Sequence, residues 1–123
     1  MLQPKQKYIK LIFWMFFVAV SVLSVLPIPV STNSSLPHVD KLAHFGTFFL
    51  LSILLLFAYK LGRPFLTTVL VMALFGLGIE VLHLYVPGRV FSLYDFAADI
   101  LGIIAALIVF RMLSGKYITS SLN

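Results

Sequence analysis

Long apolar runs alternate with short polar connections along the chain, and these runs predict transmembrane helices. Each run is near the roughly 20 residues that an α-helix needs to cross a bilayer, and none alternates as a barrel strand would. The hydrocarbon core offers backbone groups no partner, so such runs must be helical. The predicted helices cover about residues 8–26, 40–59, 64–86 and 92–113. The sequence therefore predicts an all-α, four-helix transmembrane bundle that forms a single domain over residues 1–123.

Polar and titratable residues interrupt these runs near one end of the predicted bundle. All four acidic residues lie in or beside an apolar run, where an acid is costly and therefore needs a partner and usually has a function. Residues three or four positions apart share a helix face. The pairs with this spacing are Asp40 with His44, Glu80 with His83, and Asp95 with Asp99.

The helix faces that carry these acids and histidines avoid lipid if they point at one another. They then form a polar cleft in one half of the bundle. Small residues on the same helices would let the backbones approach closely there. The pattern assigns no catalytic residue. The predicted binding residues are Asp40, Lys41, His44, Glu80, His83, Arg89, Asp95 and Asp99.

Several of these residues also have a structural explanation. Buried ion pairs can fix the register of helices without binding a ligand. Asp40 has the place of an N-cap for the second helix, and Ser92 with Asp95 has the spacing of a capping box. Arg89 is either an interface residue that snorkels to lipid headgroups or a clamp that binds a phosphate group.

Metal binding and acid–base catalysis are weaker hypotheses. Glu80 and His83 have the i, i+3 spacing found in di-iron bundles, but the chain has one such element and lacks an established metal motif. The sequence therefore predicts no metal and no cofactor. A histidine acting as a base with a buried acid would suit hydrolysis, although no nucleophile motif supports it. If Glu80, His83 and Asp99 form one network, function should change with external pH between about 5 and 8.

Composition and charge place the chain in a membrane. Hydrophobic residues make up 61% of the sequence and the mean hydropathy is +1.08, whereas soluble domains contain roughly 45–50% apolar residues. There is no cysteine, which excludes disulfides and thiolate chemistry. The net charge of +5 comes from bases scattered at the ends of the runs, so we expect no nucleic-acid partner. Under the positive-inside rule these bases put both termini in the cytoplasm, and the cleft then faces outward.

Three motifs resemble those of VanZ-like membrane proteins. Residues 40–45 resemble the D-K-x-x-H-F element of that family, and residues 80–83 resemble its E-x-x-Q element. Residues 87–95 resemble its P-G-R-x-x-S-x-x-D run, which an A-N-x-x-G continuation follows. The resemblance covers the second to fourth helices. His83 replaces the usual Gln and Asp99 the usual Asn, so two neutral amides become titratable groups.

The resemblance implies a multipass protein of the bacterial cytoplasmic membrane. The name-giving member of the family is associated with resistance to teicoplanin, a glycopeptide that targets cell-wall precursors. We therefore expect the cleft to bind a polar or anionic group of a membrane lipid, a lipid-linked cell-wall precursor or a glycopeptide. Arg89 and Lys41 would bind the anion, while Glu80, Asp99 and the two histidines would orient polar groups or move protons.

Two other classes of function remain open at this stage. One is an intramembrane enzyme that acts on a lipid-linked substrate by acid–base chemistry, and the sequence does not decide whether any reaction is catalysed. The other is a subunit of a membrane complex or a small transporter, in which the polar faces contact another chain. A homo-oligomer is compatible with either.

Overall fold

The computed structural model describes residues 4–27 and 37–120, and every regular element within these ranges is an α-helix. The helices are α1 (Pro4–Val25), α2 (Pro37–Ala58), α3 (Pro64–His83) and α4 (Leu93–Ser120). In this described part of the chain, all four helices are long and apolar enough to span a membrane, with mean hydropathies from 1.8 to 2.2. The predicted all-α, four-helix architecture is confirmed, and the cytoplasmic position of the termini stays a prediction.

The start of α2 corrects one prediction. The helix begins at Pro37, so Asp40 lies inside its first turn and is not the N-cap. Proline suits the first turn because its missing N–H has no helical partner there, and α3 begins in the same way at Pro64. The Asp40 side chain is exposed, and its charge still interacts favourably with the positive end of the helix dipole.

The pairing of α2 with α4 is the most extensive helix contact in the bundle. These two backbones meet at Gly102 of α4, where a Cβ atom would collide with the backbone carbonyl oxygen of Phe45. Helix α1 packs on α2 and, less extensively, on α3. The buried apolar core between the helices consists of Phe13, Phe48, Leu51, Leu55, Met72, Ile79 and Ile103.

Helices that are consecutive in the chain run antiparallel, and α2 therefore runs parallel to α4. The Gln6 side chain donates to the Ala58 carbonyl at 3.2 Å, and the rings of Phe57 and Phe110 lie 5.2 Å apart. At the other end, Arg89 contacts Leu23. We call the end formed by the last turns of α1 and α3 and the first turns of α2 and α4 the polar end. The opposite end is called the aromatic end.

Candidate functional site

The eight residues predicted from the sequence all lie at the polar end. Helix α2 carries Asp40, Lys41 and His44 in its first two turns, and Glu80 and His83 are in the last turn of α3. Arg89 is in the α3–α4 connection, and Asp95 and Asp99 are in the first turns of α4. Two groups have potential ligand atoms within 4.8 Å of one another: Asp40, His44 and Asp95, and also His44, Glu80 and Asp99.

His44 and Asp99 form the shortest side-chain contact between helices at this end. The His44 Nδ1 atom lies 2.9 Å from Asp99 Oδ1, and the Asp99 side chain is fully buried. Its other oxygen, Oδ2, would lie 2.8 Å from a Cβ atom at Gly76 of α3. A glycine at position 76 therefore leaves the space that this carboxylate occupies.

Glu80 links the end of α3 to the start of α4. The Ser92 backbone N–H donates to Glu80 Oε2 at 2.9 Å, and the Asp95 N–H donates to Ser92 Oγ at 3.2 Å. In a capping box the third helical residue would return a bond to the N-cap N–H. Here Glu80 supplies that bond, which leaves the Asp95 carboxylate available to another partner. His83 Nδ1 is 3.6 Å from Glu80 Oε2.

Asp95 finds that partner on α2. Lys41 Nζ lies 3.3 Å from Asp95 Oδ1, and the side chains are 41% and 10% exposed respectively. The same ammonium group is 6.0 Å from the centre of the Tyr94 ring. Lys41 is thus already paired, and it does not line the cleft described below.

Arg89 is presented by a tight turn and contacts the end of α1. The Arg89 N–H donates to the Val86 carbonyl at 3.1 Å, and Gly88 has a φ of 79°. These features, with Pro87 at the preceding position, define a type II turn, in which glycine accepts the positive φ. The Arg89 Nη2 atom donates to the Leu23 carbonyl at 2.9 Å. That carbonyl is among the last four of α1, which lack helical partners.

A cleft of about 200 Å³ opens between α1, α2 and α3 at the polar end. Of the eight predicted residues, Asp40, His44, His83 and Arg89 line it, while the remaining four lie outside its lining. Sequence reasoning missed the contribution of α1, because that helix has no titratable residue near this end. The wall residues that were not predicted are Val20, Leu23, Ser24, Ala43, Thr47, Phe48 and Ile79.

Several buried polar atoms at the polar end have no hydrogen-bond partner within the described residues. They are Glu80 Oε1, His83 Nε2, Arg89 Nε and Asp99 Oδ2. Most buried polar atoms in native structures are paired, so a cluster of such atoms is a candidate binding place for a ligand, an ion or water. Ser52 Oγ and Thr68 Oγ1 are also unpaired, but they lie on α2 and α3 outside the cleft.

The predicted set is acidic as a whole. It contains four carboxylates against two permanent cations, so its formal charge is −2 when both histidines are neutral. One cation is bound to Asp95 and the other to a backbone carbonyl. The arrangement is chemically suited to binding hydrogen-bond donors and cations through its carboxylates, and to binding one acidic group through Arg89.

These features define the chain as a membrane-spanning helical protein with a polar cleft at one end of its bundle. The chain belongs to the VanZ/LLP1 family, whose model matches residues 2–114. The match extends beyond the motifs of α2 to α4 and includes α1, which forms one wall of the cleft. The predicted family resemblance is therefore confirmed.

A fungal protein is also similar to this chain. The "Uncharacterized protein C11E3.10" of Schizosaccharomyces pombe (strain 972 / ATCC 24843) is 36% identical over 87 residues, which are 68% of this chain and 49% of the yeast protein. The chain thus spans about half the length of this relative. No solved structure matches the chain.

Proposed function

We propose that this protein binds the polar headgroup of a membrane lipid, or of a lipid-linked precursor, in the cleft at its polar end. The observation that carries the proposal is the composition of the cleft wall. Val20, Leu23, Phe48 and Ile79 provide apolar surface, while Arg89 and two histidines converge on the same space. A lipid has the matching combination of an apolar chain and a polar head.

The size of the cleft favours a headgroup over a large ligand. Pockets that enclose a drug-sized molecule measure roughly 300–1,000 Å³, whereas this cleft measures about 200 Å³. It therefore suits a phosphate or a small polar group better than a whole glycopeptide. A role in teicoplanin resistance would then be indirect, through the envelope lipid or precursor that the protein binds.

Arg89 is the group in the cleft best suited to an anionic head. Its Nη2 atom binds Leu23, while its Nε is buried without a partner among the described residues. A guanidinium binds phosphate through two parallel hydrogen bonds, so the unpaired Nε and the remaining N–H groups would suffice. Asp40 and His44 on the facing wall would accept hydrogen bonds from an amine or hydroxyl on the same head.

Location and orientation form part of the proposal. Basic residues at the aromatic end, such as Lys60 and Arg63, favour a cytoplasmic position for that end. The polar end would then face outward from the cytoplasmic membrane. A reporter fused after Ser114 should be active in the cytoplasm, and one placed at Asn33, which lies outside the described residues, should be active outside. The reverse pattern would contradict the orientation.

The test is lipid retention by the full chain. Native mass spectrometry should detect bound phosphatidylglycerol, phosphatidylethanolamine or a polyprenyl phosphate, each added separately. Arg89→Gln should weaken binding of the phosphate-bearing lipid about 10-fold, because a charged hydrogen bond contributes roughly 1.5 kcal/mol or more and 1.4 kcal/mol is a factor of ten.

Lys60→Gln is the matched control, because it removes an exposed cation from the connection at the aromatic end. It should leave lipid binding unchanged. Equal losses in the two variants would indicate general attraction to anionic lipid, and no retained lipid in wild type would contradict the proposal directly.

A second candidate function is catalysis on a lipid-linked substrate, and the His44–Asp99 contact favours it. A histidine that lines the cleft while its Nδ1 atom contacts a buried carboxylate has the arrangement of a general base held by an acid. The chain would then convert such a lipid to product, and Asp99→Asn would lower the rate. Retention of the lipid without turnover would support binding alone.

A further inference from the structure

Two buried carboxylates at the polar end lack a fixed positive charge. The Glu80 and Asp99 side chains are each 0% exposed. Both belong to a group whose potential ligand atoms lie within 4.8 Å of one another. Lys41 pairs with Asp95, and Arg89 donates to a backbone carbonyl. Buried charges without compensation are very costly, and a bound cation would compensate this pair.

We propose that His44, Glu80 and Asp99 bind one divalent transition-metal ion, such as Zn²⁺ or Mn²⁺. Two carboxylates and one neutral imidazole carry a charge of −2, which a divalent ion neutralises. Carboxylates suit hard ions such as Mg²⁺ and Ca²⁺, and the imidazole shifts the preference to transition metals. The site does not depend on lipid binding, because the three side chains would hold the ion whether or not a headgroup occupies the cleft.

The positions of the three side chains fit this role. Zinc ligands lie about 2.0–2.2 Å from the metal, so the ligand atoms are at most about 4.4 Å apart. The potential ligand atoms here lie within 4.8 Å of one another, and small rotations of the side chains would close the set around an ion. Gly76 leaves room for Asp99 Oδ2 beside α3, the helix that also carries Glu80.

Unpaired atoms provide a separate indication of a ligand. Glu80 Oε1 and Asp99 Oδ2 are buried and without a hydrogen-bond partner in the described part of the chain, although the other oxygen of each carboxylate is bonded. His83 Nε2 is likewise unpaired, on a side chain that is 5% exposed. Each of these free carboxylate oxygens is available to coordinate a metal ion, and an ion pair between helices does not by itself satisfy them.

The neighbouring group of Asp40, His44 and Asp95 is less suitable. Asp40 is exposed, and Asp95 is already paired with Lys41 at 3.3 Å. His44 belongs to both groups and lines the cleft, so an ion that enters through the cleft reaches it first. Glu80 and Asp99 then provide a metal position that is more deeply buried than the neighbouring group and has no lysine or arginine partner among the described residues.

The experiment measures metal bound by the full, untagged chain in lipid nanodiscs. After treatment with EDTA and dialysis, the protein is equilibrated with Zn²⁺ or Mn²⁺, and bound metal is counted by inductively coupled plasma mass spectrometry. We expect one ion per chain, and we expect that excess Mg²⁺ or Ca²⁺ does not displace it. Failure to retain either metal would overturn the proposal and would indicate that the two carboxylates share a proton.

Variants locate the site. Glu80→Gln, Asp99→Asn and His44→Gln should each weaken metal binding by at least about 10-fold. Loss of a residue that only hydrogen-bonds to a metal ligand already weakens binding by about that much, and loss of a ligand should cost no less. His38→Gln is the matched control, because it removes an exposed imidazole near the start of α2 and outside both groups. It should leave the affinity within about twofold. Asp95→Asn separates the two groups, because a loss equal to that of Asp99→Asn would overturn the assignment in favour of the neighbouring group.

A measurement on the wild-type protein covers the case in which a variant fails to fold. Pulsed electron paramagnetic resonance of bound Mn²⁺ should show coupling to an imidazole nitrogen. The coupling should persist in His38→Gln, because His38 is exposed at the start of α2 and outside the proposed set. A spectrum without nitrogen coupling, or one that loses it in His38→Gln, would overturn the proposal. Neither result depends on lipid binding or on turnover.

Discussion

The two ends of the bundle join their helices by opposite means. At the aromatic end, Trp14 Nε1 donates to the Tyr59 hydroxyl at 2.8 Å, and Lys10 Nζ lies 4.6 Å from the centre of the Tyr59 ring. These polar groups are partnered and lie at the surface or close to it. At the polar end, Glu80 and Asp99 are fully buried, and each keeps an oxygen without a partner among the described residues.

This difference is the basis for proposing the polar end as the functional one. Aromatic residues with a polar tip are common near membrane interfaces, where they stabilise a helix bundle without a further role. Buried acids destabilise a bundle unless they are paired, and in membrane proteins they usually mark a ligand or proton site. One oxygen of each buried carboxylate keeps no partner among the described residues, which costs stability, and the proposed binding of a headgroup or an ion would account for that cost.

The largest expected effect is at the α2–α4 contact, on which both ends depend. Gly102→Ala should destabilise the protein by about 3 kcal/mol, the upper part of the range for overpacking, because its Cβ would collide with the Phe45 backbone carbonyl. Neither backbone can rotate away as a side chain would. Reversible unfolding in mixed micelles measures the change.

Gly78→Ala is the control for this substitution. Gly78 lies in α3 with no atom within 4 Å of an added Cβ, so the change should stabilise the helix by up to about 1 kcal/mol. If the two variants have similar stability, the close approach of α2 and α4 does not hold the bundle together.

Much of this architecture could be predicted from the sequence. Run length and composition are sufficient for membrane helices because lipid leaves the backbone no alternative. The i, i+3 and i, i+4 spacings also assign the acids and histidines to shared faces, since these depend on local geometry alone. The start of α2 could not be predicted as well, because Pro37 and Asp40 are both acceptable near a helix start.

Contacts between helices were beyond the reach of the sequence pattern. Glu80 accepts a hydrogen bond from the Ser92 N–H at the start of α4, and this contact depends on how α3 and α4 pack together. The same is true of Arg89, whose partner is a carbonyl of α1 at position 23, 66 residues away. Both partners are backbone groups, which every residue carries, so the amino-acid sequence gives no sign of either contact.

A smaller effect is expected at the aromatic end. Tyr59→Phe removes the hydroxyl that accepts from Trp14 but keeps the ring that packs on Phe13 at 6.3 Å. The free energy of unfolding should fall by about 1 kcal/mol, as for a typical hydrogen bond. Lipid and metal binding should be unchanged. Tyr85→Phe, at a side chain that is 79% exposed, should change neither quantity, and a binding defect in Tyr59→Phe would remove the distinction between the ends.

The smallest change in stability, and the sharpest test, is expected for Asp99→Asn at the polar end. If Asp99 mainly forms a structural ion pair with His44, removing its charge should cost about 3–5 kcal/mol, as for a broken buried pair. The unpaired oxygens predict another outcome. The amide oxygen introduced by Asp99→Asn can still accept a hydrogen bond from His44 Nδ1. Glu80 also lies close enough to His44 to balance the positive charge of a protonated imidazole.

Without metal, the stability of Asp99→Asn should therefore stay within about 0.5 kcal/mol of wild type, because a costly buried charge is removed while the amide keeps a hydrogen bond to a neutral His44. Metal binding should be lost when Zn²⁺ or Mn²⁺ is then added. Asp95→Asn provides the contrast, since Asp95 is paired with Lys41 at a partly exposed site, where such pairs contribute up to about 1 kcal/mol. A large loss of stability in Asp99→Asn, with metal binding retained, would show that the polar end is held by its charges in the way that the aromatic end is held by its rings.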